Sequence, residues 1–206
     1  VDKEWTSRDE KGQVNIYPVE QLQKMKEGNW LVLARDRYRL DKLEEDLKIY
    51  GYFYERGDRT SINKRIHQAI LAWEDVRKGK AVVNKEKLYT FDTLTSDYGL
   101  SVDKEKPWFD ALRNIPLPKA TYVRAVLRRK ENIKRAPRIK LSTIHGSKGG
   151  EADNVMLLTD LSRKTDAEYW KQRDAERRVF YVGMTRAKNT LNIVRSQSDR
   201  EFTEAF

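Results

Sequence analysis

The sequence contains no cysteine and only two histidines, His67 and His145. Disulfides and thiolate metal sites are therefore excluded, and a His-rich metal centre has too few ligands. A cysteine-free chain fits a reducing compartment. No apolar run approaches the roughly 18 residues that a membrane-spanning helix needs. No signal peptide is visible at the start, so an intracellular, cytoplasmic protein without a membrane partner is expected. An initiator Met is also lacking: the chain opens Val1-Asp2-Lys3, which reads as a fragment or a trimmed product. There is no internal repeat and no low-complexity linker.

What is present is charge. Of 206 residues, 36% are charged, and the net charge is +10. An excess of that size points to a polyanionic partner, with nucleic acid foremost. Both signs are mixed along the chain, so this is a basic folded surface and not a basic tail. The length suffices for a sizeable core and one to two domains.

Hydrophobic patterning organises the rest. Val14 to Pro18 alternates as a short strand, and Val19 to Met25 reads as a short helix closed by Gly28. Trp30 to Ala34 is a continuous apolar run, the pattern of a strand buried on both faces of a parallel sheet. Asp36 can cap the next helix, in which Leu40, Leu43, Leu47 and Tyr50 recur at helical spacing before Gly51. Tyr52-Phe53-Tyr54 reads as another strand, and strand–helix–strand is the sequence form of a βαβ unit.

Beyond that point the chain becomes helical. Ile62, Ile66, Ala69, Ile70, Trp73 and Val76 mark a long amphipathic helix. Weaker helical segments follow at Lys85 to Leu94, Trp108 to Arg113 and Ala120 to Asn132, with Pro107 suited to a first turn. From Arg138 the α/β character returns, with strands at Arg138 to Ile144, Asn154 to Thr159 and Thr190 to Val194. A single helix is expected at Ala167 to Ala187. The expected division is an α/β domain over 1–59 and 137–206 and a helical insertion over 60–136.

Two stretches carry chemistry. In the first, the strand Ile139 to Ile144 runs into His145-Gly146-Ser147-Lys148-Gly149-Gly150-Glu151. Glycines let backbone N–H groups approach a phosphate closely. Thr143 and His145 can hydrogen-bond phosphodiester oxygens, Lys148 adds charge, and Glu151 suits a ribose hydroxyl. In the second, Glu176-Arg177-Arg178-Val179-Phe180-Tyr181-Val182-Gly183-Met184-Thr185-Arg186-Ala187, residues Arg178, Val182 and Arg186 are four apart on the expected helix and so share a face. A guanidinium there can stabilise charge that develops on a γ-phosphate.

Together and in this order, the two stretches resemble the last motifs of superfamily 1 helicases of the UvrD/Rep type. Thr143, His145, Lys148, Gly149 and Glu151 match T-x-H-x-x-K-G-x-E; Gly150 and Ala152 depart from the Leu and the aromatic common there. The resemblance implies strand contacts from Thr143 and His145, a nucleotide contact from Glu151, and an arginine finger at Arg186. Leu33-Ala34-Arg35-Asp36 with Leu43-Glu44-Glu45 resembles the preceding motif. Arg35 is thereby implied to be a second catalytic arginine near the γ-phosphate, and Ala34 stands where an adenine-stacking Tyr is common.

The implied fold is a RecA-like parallel sheet flanked by helices, with a small, mostly helical insertion. The implied activity is that of an ATP-dependent DNA helicase moving 3′ to 5′. The resemblance covers roughly residues 28–60 and 138–196. In the insertion, Arg124 and Arg128, with Arg129, Lys130, Lys134 and Arg135, form a basic stretch suited to lie along DNA. Trp73 and Trp108 fit core packing better than base stacking.

No G-x-x-x-x-G-K-[ST] loop occurs, nor an apolar run ending in the Asp-Glu pair that holds magnesium. The family carries both in its first RecA-like motor domain. The expected partners are therefore that domain and single-stranded DNA. ATP and Mg²⁺ would belong to the intact enzyme, and this chain alone would hydrolyse nothing. The rival reading is a non-catalytic nucleic-acid-binding or partner-docking module with a helicase-like fold; an RNA-directed motor is a further alternative.

Overall fold

The computed structural model describes residues 11–80, 91–101, 103, 105–147 and 149–205. The expected helix at Lys85 to Leu94 begins outside these residues, as does the polar start of the chain. The chain forms two compact units, one of residues up to Asp46 and from Arg138 onward, the other of Leu47–Pro137. The sequence reading places the divisions at 59/60 and 136/137.

In chain order the elements are β1 (Gln13–Tyr17), a 3₁₀ turn at Leu22–Lys26, β2 (Trp30–Ala34), α1 (Arg37–Ile49), β3 (Tyr54–Arg56), β4 (Arg59–Thr60), α2 (Lys64–Arg77), α3 (Phe91–Tyr98), α4 (Trp108–Ala111) and α5 (Leu117–Arg128). Then come β5 (Ile139–Thr143), a 3₁₀ turn at His145–Ser147, β6 (Ala152–Leu158), α6 (Arg163–Tyr169), α7 (Arg173–Met184), β7 (Ala187–Val194) and a last 3₁₀ turn at Thr203–Ala205.

The first unit is an α/β layer structure. Its strands lie in the order β1-β7-β6-β2-β5 and every pairing among them is parallel. All five residues of β2 are buried, as expected of a central strand covered on both faces. Both neighbours of β2, β5 and β6, come from more than a hundred residues away, and not from the strand that follows α1. The sequence order identified a parallel sheet correctly but could not identify who pairs with whom.

On one face, Leu31, Leu33, Val155 and Leu157 pack with Ile144, Phe180, Tyr169 and Phe202. The Phe180 and Phe202 rings stack at 4.0 Å. Polar clamps fasten the carboxyl ends of the strands. The Arg195 guanidinium donates to both Glu201 oxygens at 3.1 and 2.9 Å, and the Thr159 hydroxyl donates to Glu201 at 3.0 Å. Those contacts, led by the Arg195 hydrogen bond and set against burial, hold the Glu201 carboxyl below its ordinary range. Buried Arg39 bridges Asp160 and Glu20.

Three element expectations need correction. The strand expected at Tyr52–Tyr54 is Tyr54–Arg56, and it pairs antiparallel with β4 through a two-residue turn at Gly57-Asp58. The single helix expected over Ala167–Ala187 is two, α6 and α7, broken at Trp170–Gln172. The new start is favoured by Asp174 and Glu176 in the first turn of α7, where negative charge suits the helix dipole. Asp36 is engaged at α6: its carboxylate accepts from the Ser162 N–H at 2.8 Å and the Thr165 hydroxyl at 2.9 Å.

The second unit is mostly helical. Trp73, Trp108, Ile66, Ile70, Leu112, Val123 and Val126 belong to one buried cluster. Trp73 is fully buried and its indole N–H donates to the Lys106 carbonyl at 3.1 Å. Both tryptophans are core residues, as expected from the sequence.

Candidate nucleotide and strand sites

The parallel sheet has two ends, and the candidate residues of the first unit divide between them. Ala34, Thr143 and Leu158 are in register, so the residues just after them share the carboxyl end of the strands. Ala152 and Ala187 are paired at the amino end. Six residues of β6 separate the two levels, which at a rise of about 3.3 Å per residue is about 20 Å.

At the carboxyl end stand Thr143, His145 and Arg35. The Ile144 N–H donates to the Ala34 carbonyl at 2.9 Å, which ties the last residue of β2 to the start of the loop. Thr143 Oγ1 accepts the Gly146 N–H at 3.1 Å, which leaves the hydroxyl proton for an outside acceptor. His145 is exposed on the short 3₁₀ turn. Buried Ser147 donates its hydroxyl to the Ile144 carbonyl at 2.7 Å and so closes that turn.

Arg35 is not free-standing. Its Nε donates to Glu176 Oε2 at 2.7 Å and its Nη2 to Glu176 Oε1 at 2.8 Å, a side-on bidentate pair. The Glu176 side chain is 8% exposed and that of Arg35 18%. The hydrogen bond to Glu176, opposed by burial, raises the Arg35 pKa above its ordinary value.

At the amino end stand Glu151 and Arg186, and Gly149 precedes them in the segment between β5 and β6. Gly149 has φ +80°, a left-handed conformation that favours glycine. The Glu151 carboxylate lies 3.7 Å from Lys188 Nζ, an exposed pair of the kind worth about 0–1 kcal/mol. Arg186 falls just past α7, after its cap Thr185, so it is not on the helical face expected from its spacing with Arg178. Its Nε donates to the Val182 carbonyl at 3.0 Å and its Nη2 contacts Thr185 Oγ1 at 3.4 Å. Its backbone carbonyl accepts the Ala152 N–H at 3.1 Å, which places it beside Glu151.

Thus the fold brings Glu151 and Arg186 together, and Thr143, His145 and Arg35 together. It does not bring Arg35 and Arg186 together. The two arginines expected to meet at one γ-phosphate stand at opposite ends of the sheet. Lys148 lies outside the described residues.

Arg177, adjacent to Glu176 in sequence, is taken up by Asp174 at 2.9 Å and by Glu204. The pairing of Arg35 with Glu176 escaped the sequence reading. The two are 141 positions apart, and nothing in local spacing signals it.

The basic stretch expected to lie along DNA belongs to the second unit. The Arg124 guanidinium stacks 4.3 Å from the centre of the Phe109 ring, while Arg128 is exposed. Arg129 stacks 3.8 Å over Tyr52 and donates to the Tyr50 carbonyl at 3.3 Å. Among the described residues no helix is long and apolar enough to cross a membrane. Nor do the described residues contain a cluster of three His, Asp or Glu side chains placed to hold a metal ion.

Comparison with known proteins gives a family match over most of the chain. A model of the family described as "UvrD-like helicase C-terminal domain" matches residues 21–198. Two proteins named "Probable DNA helicase II homolog", from Rickettsia conorii (strain ATCC VR-613 / Malish 7) and Rickettsia felis (strain ATCC VR-1525 / URRWXCal2), are each 38% identical over 72 residues. The match covers 32% of this chain and 11% of the length of each relative.

Proposed function

The chain belongs to the UvrD-like helicase C-terminal domain family, and from that premise we propose that it is the second RecA-like motor region of an ATP-dependent DNA helicase. Its sheet would work from both ends. At the carboxyl end, Thr143 and His145 grip the phosphodiester backbone of a single strand, and Lys148, which lies outside the described residues, would add charge to that contact. At the amino end, Gly149 and Glu151 meet the nucleotide and Arg186 is the arginine finger. The observation that carries this reading is the segment 144–151, which leaves β5 at one end of the sheet and enters β6 at the other.

The site fits the nucleotide in chemical kind. Glu151 is an exposed acceptor suited to a ribose hydroxyl. Arg186 spends only its Nε and Nη2 on local carbonyl and hydroxyl oxygens, which leaves its Nη1 protons for a phosphate. Bound ATP would supply the phosphoryl group and Mg²⁺ would neutralise its charge. Both would be held chiefly by the phosphate-binding loop and acidic pair of the first motor domain, which this sequence lacks. Arg186 stabilises charge developing on the transferred group, and Thr143 and His145 hold the strand while the domains close. Arg35, at the strand end, takes no part at the nucleotide. Direction 3′ to 5′, an intracellular setting where DNA is found, and inactivity of the isolated chain as an ATPase belong to the same proposal. Arg124 and Arg128 would add phosphate contacts from the helical unit.

The test is Arg186→Ala in the complete enzyme that carries this region. Turnover should fall by about 10³-fold or more, the scale of an arginine finger, while affinity for a single-stranded oligonucleotide stays within about twofold. Equal losses of both would remove the assignment. Strand-stimulated ATP hydrolysis by the isolated chain would overturn its proposed dependence on a partner domain.

A further inference from the structure

The two ends of the sheet are joined by two routes, and both are fastened to the last residues of β2. One route is the segment 144–151, whose first N–H donates to the Ala34 carbonyl. The other is α7, twelve residues and so about 18 Å long. Near its start Glu176 is chelated by Arg35, the residue after Ala34. Just past its end stands Arg186, whose carbonyl receives the Ala152 N–H and so rejoins the first route.

The last turn of α7 is seated on the same structure. A Cβ at Gly183 would lie 3.1 Å from Leu157 Cδ1 and 3.5 Å from the Ile144 side chain, so the helix lies close against β6 and the start of the segment. Phe180 stacks on Phe202 on the same side. Ala34, Arg35, Glu176, α7, Arg186, Ala152 and Ile144 therefore form a closed loop of bonded contacts. Of its side-chain links, only the Arg35–Glu176 pair is directional and charged.

We propose that Glu176 is a positioning residue which, through its bidentate grip on Arg35, makes α7 a rigid link between the nucleotide end and the strand end of the sheet. This rests on the functional reading above. A shift of Arg186 on meeting a phosphate reaches Ile144 where Gly183 lies close to it, and reaches Ala34, beside Thr143 and His145, along α7 through Glu176 and Arg35. The geometry explains why a guanidinium is needed at position 35. Its Nε–Nη2 edge fits both carboxylate oxygens, which fixes the helix in orientation as well as distance, while a lysine would give a point contact only.

Two measurements test it. In the isolated chain, ¹⁵N spectroscopy of the Arg35 Nε–H should show slowed rotation about the guanidinium bond, lost in Glu176→Gln. A freely rotating Arg35 guanidinium in the unsubstituted chain would overturn the proposal. In the complete enzyme, Glu176→Gln should leave ATP turnover without DNA within about twofold and lower its stimulation by single-stranded DNA by about tenfold. Arg35→Lys should lower the stimulation ratio likewise, and it carries the test if Glu176→Gln does not fold. The double variant should be no worse than the weaker-stimulated single one, because the two residues act as a unit. Parallel loss of basal and stimulated turnover, or multiplying losses in the double variant, would show a merely structural pair and sink the idea. If the unsubstituted enzyme shows no stimulation at all, the helicase reading falls and this inference with it. Stimulation in the unsubstituted enzyme with an unchanged ratio in Glu176→Gln removes this inference alone.

Discussion

Gly51 offers a direct measure of how tightly the helical unit is built. It follows α1 with φ +69° and closes the helix: its N–H donates to the Lys48 carbonyl at 3.0 Å, and the Tyr52 N–H donates to the Leu47 carbonyl at 2.9 Å. A Cβ there would lie 2.8 Å from the Ala125 carbonyl carbon, 2.9 Å from its oxygen and 2.9 Å from its Cβ. Backbone of α5 cannot rotate out of the way as a side chain can. Gly57, in the β3–β4 turn, has φ +58° but nothing within 4 Å of the same point. The two sites share the conformational strain and differ only in the clash.

Gly57→Ala should cost about 1 kcal/mol, the left-handed penalty less the lower entropy of the unfolded chain. Gly51→Ala should cost a further 1–3 kcal/mol or so, the usual range for overpacking. Urea unfolding followed by the fluorescence of buried Trp73 and Trp108 reads both. Equal midpoints for the two variants would refute the reasoning, because the Ala125 contact would then be yielding and the helix end loosely seated.

Two further outcomes follow from the same unit. Trp73→Ala removes a fully buried indole and its hydrogen bond to the Lys106 carbonyl, and should cost about 3–5 kcal/mol in the same assay; a loss below about 2 kcal/mol would mean the cluster collapses into the gap. His67 is held below its ordinary pKa by burial, partly offset by a hydrogen bond with the Ile133 backbone. Above about pH 6.5 neither folded nor unfolded chain protonates it; below that the unfolded chain binds the proton first, so stability falls with pH until the folded value is reached. His67→Gln should therefore lose less stability than the unsubstituted protein between pH 7.5 and pH 5.5, and parallel losses would rule out this contribution.

The local pattern was legible because it depends on local physics. An unbroken apolar run marked β2 as a doubly covered strand, and helical spacing marked α1 and α2, since side-chain direction repeats with the backbone. The loop from Thr143 to Glu151 stood out as a candidate site because its run of glycines and polar residues follows no core periodicity. The family followed from that string together with Glu176 to Ala187.

What the tertiary structure alone decided is pairing and place. β2 lies between β5 and β6, although in sequence α1 and the whole helical unit separate it from both. The end of α7 at Met184, with Thr185 as its cap, puts Arg186 off the helix and at the strand entrance, where Ala187 pairs with Ala152. Above all, a sequence lists Arg35 and Arg186 as two arginines with one implied task, whereas parallel strands have two ends about 20 Å apart. Arg35 follows a strand and Arg186 precedes one. That difference, invisible in either motif by itself, puts Arg35 out of reach of Glu151 and into the hands of Glu176.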